Sequence, residues 1–91
     1  MPFRELDYKV PQGKLIRLRA QMEGNRIKEI EITGDFFLHP EERIFELEKA
    51  LVGLELDERA LRPAVAKALA DTKMVGVSVD DIVVSLLKLR C

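Results

Sequence analysis

Residues 33–40 read TGDFFLHP, and the periodicity of the chain changes across them. Upstream, apolar residues recur at every second position. Downstream they recur every three to four, so this segment marks a passage from strand to helix. Gly34 permits a backbone turn, Asp35 is expected to bond nearby amides, and Pro40 suits the first turn of a helix. Phe36 and Phe37 fill the middle. Adjacent residues in extended backbone face opposite sides, so one ring is expected to plug the layer between sheet and helices. The other then lies on the outer face, where a partner best accounts for it.

Working backward, Leu6, Tyr8 and Val10 share one face, and Pro11-Gln12-Gly13 breaks the run. Ile16, Leu18, Ala20 and Met22 then alternate with Arg17, Arg19 and Gln21. Glu23-Gly24-Asn25 supplies a hairpin turn into a third strand over about 26–33. In that strand Ile30 and Ile32 agree in phase while Ile27 does not, which a bulge near Lys28 or a strand start after Ile27 reconciles.

Working forward, Glu41 and Glu42 stand near the positive end of a helix dipole. Ile44, Leu47 and Leu51 form an apolar stripe that Gly53 ends. Asp57 can cap a second helical segment carrying Leu61, Val65 and Leu69, and Pro63 is expected to split it, with the main helix starting near Arg62. Ser78 and Asp81 have capping-box spacing, with Val77 placed to pack on Ile82. The last helix, about 79–90, would bury Ile82, Leu86 and Leu89.

The order β-β-β-α-α-α implies an α+β fold. A three-stranded antiparallel sheet with one polar face (about 3–35) needs its other face covered by the helical layer (about 40–90), making a two-layer domain. The 91 residues suffice for one such domain, too small for a sizeable enclosed active site. At 47% hydrophobic and 34% charged the composition is that of a globular chain. No apolar run approaches the roughly 18 to 20 residues of a spanning helix, so a cytoplasmic protein without membrane contact is expected. The net charge of −1 hides an asymmetry: residues 1–30 sum to +3, 31–60 to −6 and 61–91 to +2. The acidic total and the absence of a stacking motif argue against nucleic acid.

Catalytic and metal motifs are missing. Gly13-Lys14 would need a glycine at position 8 and Ser or Thr at position 15 to make a phosphate loop, and the chain has Tyr8 and Leu15. The one histidine, His39, has no neighbouring nucleophile and no second His or Cys with which to share a metal, and the one cysteine, Cys91, is terminal. Glu41, Glu42, Glu46 and Glu48 read as a solvated helix face rather than an acid-base site. Arg17 and Arg19 project from one side of a strand and, with Lys14 or Arg26, would form a basic patch.

The series Tyr8, Gly13-Lys14-Leu15-Ile16, Gly24, Ile27, Ile30, Ile32, Gly34-Asp35-Phe36-Phe37, Pro40-Glu41, Leu47-Glu48, Leu51 and Gly53 resembles the C-terminal accessory domain of lipoate protein ligases. It is most similar to the separate small subunit of two-chain, archaeal-type ligases. The resemblance covers most of the chain, with the GK and GDFF pieces its specific part.

It implies a fold similar to the iron-sulfur scaffold and sulfur-acceptor proteins, and a heterodimer with a large catalytic subunit. That complex would use ATP and magnesium to convert lipoate to lipoyl-AMP. It would then transfer the lipoyl group to a lysine of a 2-oxoacid dehydrogenase lipoyl domain or of the glycine-cleavage H protein. This chain alone would bind no cofactor or metal and carry no catalytic residue. Gly13, Lys14, Gly34, Asp35, Phe36 and Phe37 would serve the subunit contact or the activation step. The geometric reason is that an antiparallel hairpin through Gly24 returns Gly34–Phe37 to the end where Lys14 begins its strand. The alternative is a non-enzymatic interaction or scaffold module of the same fold.

Overall fold

The computed structural model describes residues 3–11 and 14–89, so Gly13, the end of the expected last helix at Arg90, and Cys91 lie outside the described residues. Strands β1 (Arg4–Lys9), β2 (Leu15–Glu23) and β3 (Arg26–Gly34) form an antiparallel sheet in that order. The alternation decides the faces. Ile16, Leu18, Ala20 and Met22 of β2 and Ile27, Ile30 and Ile32 of β3 are buried, while Arg17, Arg19, Glu29 and Glu31 face outward. The phase conflict in β3 is resolved by the bulge: Gln21 pairs with Glu29 and Met22 with Ile27, which leaves Lys28 as the extra residue. Ile27 thereby returns to the core face.

Helices α1 (Arg43–Leu51), α2 (Glu58–Ala68) and α3 (Val79–Leu87) cover the buried face. Leu47 and Leu51 of α1, Leu61 and Val65 of α2, and Ile82, Val83 and Leu86 of α3 have no solvent contact and join the strand residues in one core. Each such side chain contributes about 1.5 to 3 kcal/mol through burial. The α+β two-layer reading therefore holds, with antiparallel strands followed by helices.

Three local expectations need correction. Helix α1 starts at Arg43, because Pro40 to Glu42 form a tight turn in which Arg43 N donates to Pro40 O at 3.2 Å. Pro63 does not split the second helix. Asp57 accepts from Arg59 N and α2 runs unbroken from Glu58, since Leu61 and Val65 bury on either side of the proline and hold both turns on the core. The segments on either side of the first two helices also carry strands the periodicity hid: β4 (Phe37–His39) pairs antiparallel with β5 (Lys73–Val75). Each is three residues long, too short for alternation to register.

Ser78 caps α3 in a full capping box with Asp81, and Arg62 of α2 bonds Asp80 of α3 and Glu58 of its own helix. Among the described residues, no helix is long and apolar enough to cross a membrane.

Candidate functional site

The end of the sheet where β2 begins and β3 stops gathers the residues singled out in the sequence. Ile16 pairs with Gly34, and Asp35 N donates to Leu15 O at 3.0 Å, closing the ladder. Gly34 takes φ +152°, and a Cβ there would lie 2.1 Å from the Leu15 carbonyl oxygen and 3.0 Å from the Phe36 ring. No other residue fits between the strand and the returning ring.

Phe36 is half-buried and packs against the core, whereas Phe37 is 57% exposed. The two rings thus divide as neighbours in extended backbone must. Phe37 lies directly across from Val75 of β5, itself 39% exposed, so the β4–β5 ribbon presents an apolar cross-strand pair to solvent. An open hollow of about 240 Å³ beside it is lined by Gly34, Phe36, Phe37, Glu41 and Ile44.

Lys14 joins this end through a contact that sequence gives no sign of. Gly76, next to Val75, has φ +91°, and a Cβ on it would stand 2.8 Å from Lys14 Cγ. The lysine stem therefore lies on the glycine backbone, which ties the connection between β1 and β2 to the start of the α3 cap. The missed residues, Val75 and Gly76, have no signal of their own in the sequence, because only the pairing of two three-residue strands brings them here.

Asp35 is placed at the site through its backbone, and its carboxylate accepts no amide among the described residues, against expectation. The turn is closed by main chain instead.

Two cations of the expected basic patch, Arg17 and Arg26, are ion-paired. Asp7 sits directly opposite Arg17 across β1 and β2 and bonds it at 2.9 Å. That hydrogen bond holds the Asp7 carboxyl below its ordinary value and raises the Arg17 guanidinium. Arg19 stacks over the Phe3 ring at 4.3 Å, and Arg26 pairs with Glu55 at 3.2 Å. Among the described residues, no group of three or more His, Cys, Asp or Glu gathers as metal ligands.

Glu48 does more than face water: its Oε2 accepts from Ile32 N at 2.8 Å, so a helix carboxylate caps an edge-strand amide. On the same side of α1, Phe45 and Val52 are exposed and, with Phe3 and Ile30, line an open groove of about 450 Å³ against β3.

The family model for the bacterial lipoate protein ligase C-terminus matches residues 5–86, from β1 into α3. The chain belongs to this family. Among relatives of this ligase domain, lipoate-protein ligase A subunit 2 of Thermoplasma acidophilum is 44% identical over 52 residues. Those residues are 57% of this chain and 54% of the relative, so the match spans about half the relative's length. A solved chain from the same organism belongs to an archaeal lipoylation system, a bi-partite lipoate protein ligase and its E2 lipoyl domain. It superposes with a TM-score of 0.79 at 30% identity, covering 92% of this chain and 93% of that one.

Proposed function

We propose that this chain is the small, non-catalytic subunit of a two-chain lipoate protein ligase. It acts with a larger catalytic subunit in the ATP-dependent activation of lipoate to lipoyl-AMP, ahead of lipoyl transfer to a lysine of a lipoyl domain. Family membership and the named relatives support the enzyme class. The observation that carries the accessory role is the Lys14–Phe37 end of the sheet. There an exposed aromatic-aliphatic pair stands on a paired ribbon whose neighbour Gly76 carries the Lys14 stem, a combination suited to contact with another protein surface.

The geometry supports a role for each of these residues. Gly34 lets Phe36 fold back onto the core, which fixes Phe37 outward beside Val75. Gly76 seats the Lys14 stem and limits where its ammonium can reach. Together they press an apolar pair and one positive charge toward the large subunit, at or beside its adenylation site. Magnesium-ATP and lipoate are substrates of the complex. In this proposal the large subunit carries the chemical steps.

The deciding experiment combines the purified chain, a candidate large ligase subunit, lipoate and magnesium-ATP, and follows lipoyl-AMP with each chain alone and with both. Product only with both is the expected result. Equal product without this chain overturns the reading.

A further inference from the structure

Strand β3 is an edge of the sheet, and its outward backbone groups are closed at two places. At one, Ile27 N donates to Leu54 O at 2.9 Å and Ile27 O accepts from Gly53 N at 2.6 Å. At the other, Ile32 N donates to Glu48 at 2.8 Å. Ile30, two residues before Ile32, presents its N–H and C=O on the same outward side, since alternate residues of an antiparallel strand point alike. Between the two closures, no hydrogen bond among the described residues closes the edge at Ile30.

That opening borders the 450 Å³ groove, whose wall is α1 with Phe45, 62% exposed, and Val52, 51% exposed. Phe45 lies on α1 and Val52 at its C-cap, with Glu48 and Lys49 between them, so two exposed apolar side chains flank a charged pair along the groove wall. Natural sheets close or blunt an open edge, and an edge left open beside exposed apolar side chains marks a place for another chain.

We propose that this groove docks an extended segment of the large catalytic subunit, which pairs with the open backbone of Ile30 and inserts an apolar side chain among Phe3, Phe45 and Val52. The proposal goes beyond the functional reading above and rests on it. The backbone gap selects an extended segment, because main-chain pairing at a sheet edge needs one. In the rim, the carboxylates of Glu29, Glu31 and Glu48 outnumber Arg19 and Lys49, which favours a cation beside the inserted side chain.

The family argues for the catalytic subunit as the source. Where this domain is the C-terminus of a ligase chain, the preceding polypeptide arrives at β1, beside Phe3, one of the groove's own walls. A second copy of this chain fits less well, since antiparallel β3 edges paired about Ile30 would set Glu29 of each copy opposite Glu31 of the other.

The test uses the full chain and a candidate large subunit. Titration calorimetry compares wild type with Phe45→Glu, Val52→Glu and, as a control, Val84→Glu, an exposed apolar residue of α3 away from the groove. The groove variants are expected to bind at least about tenfold more weakly, with the control unchanged. Thermal melts identify any variant that has lost its fold. Amide exchange on the wild-type chain is independent of mutation: the Ile30 amide is expected to slow by about tenfold or more on binding. Wild-type binding with unchanged affinity in the groove variants, or with no Ile30 protection, overturns the groove while leaving the functional reading standing. No wild-type binding overturns both, and a homodimer dissolved by Phe45→Glu assigns the groove to self-association and overturns the proposal.

Discussion

Gly34 lies against the carbonyl oxygen of Leu15, so close that a Cβ on the glycine would stand 2.1 Å away. Backbone cannot yield as a side-chain tip would, and φ +152° is already closed to other residues. Gly34→Ala must therefore break the Ile16–Gly34 end of the ladder, and it crowds the Phe36 ring as well. The expected loss is about 3 kcal/mol, a fall of more than about 10 °C in the thermal midpoint. A midpoint within about 2 °C of wild type would show that the turn is not held by this contact.

Asp7 and Arg17 supply a pH dependence on the outer face. The hydrogen bond from Arg17 lowers the folded-state pKa of Asp7 below its unfolded value. The pair's contribution is therefore complete above the unfolded pKa and is lost as pH falls through the folded one. Both groups are exposed, so the effect is small and screened by salt. Asp7→Asn is expected to melt slightly below wild type at neutral pH and low ionic strength, with the difference shrinking as pH falls from neutral into the acidic range. Melts of both proteins across that range check it, and a gap that widens toward acid would contradict the assignment.

Ser78 accepts from Asp81 N at 3.2 Å while Asp81 accepts from Ser78 N at 2.9 Å, so two otherwise unanswered amides at the start of α3 answer each other. Ser78→Ala removes one half. The expected cost is about 1 kcal/mol, or about 4 to 8 °C in the thermal midpoint. Ser78→Asp, which keeps an acceptor, should restore most of it.

The parts of the fold that were legible in sequence are those with long periods. Four alternating residues in β2 and the stripe Leu47–Leu51 each repeat often enough to name a face, and the phase of Ile27 narrowed β3 to a bulge near Lys28 or a later strand start, of which the bulge is present. The ribbon of β4 and β5 was not legible, because it is a pairing between segments some 35 positions apart, and three residues hold no period. The same limit governs the site. TGDFF announced itself through composition, but Val75 and Gly76 enter only by strand pairing, and the seat of Lys14 is a packing contact. Phe45 and Val52 were hidden for another reason: a helix with one good apolar stripe invites the assumption that its remaining residues face water.

The division between Phe36 and Phe37 gives the sharpest separation of fold from function. Phe36 packs on the core beside Gly34, so Phe36→Ala leaves a gap in the layer and is expected to cost about 2 kcal/mol, less than a fully buried ring. Phe37 is 57% exposed across from Val75, so Phe37→Ala should change the thermal midpoint by less than about 3 °C. Under the proposed function the order reverses in the coupled assay. Phe37→Ala and Lys14→Ala are expected to lower lipoyl-AMP formation with the large subunit by about tenfold while the chain stays folded. If both rings prove equally important to stability and neither Phe37 nor Lys14 affects activation, the Lys14–Phe37 end is structural and the partner-facing role assigned to it is wrong.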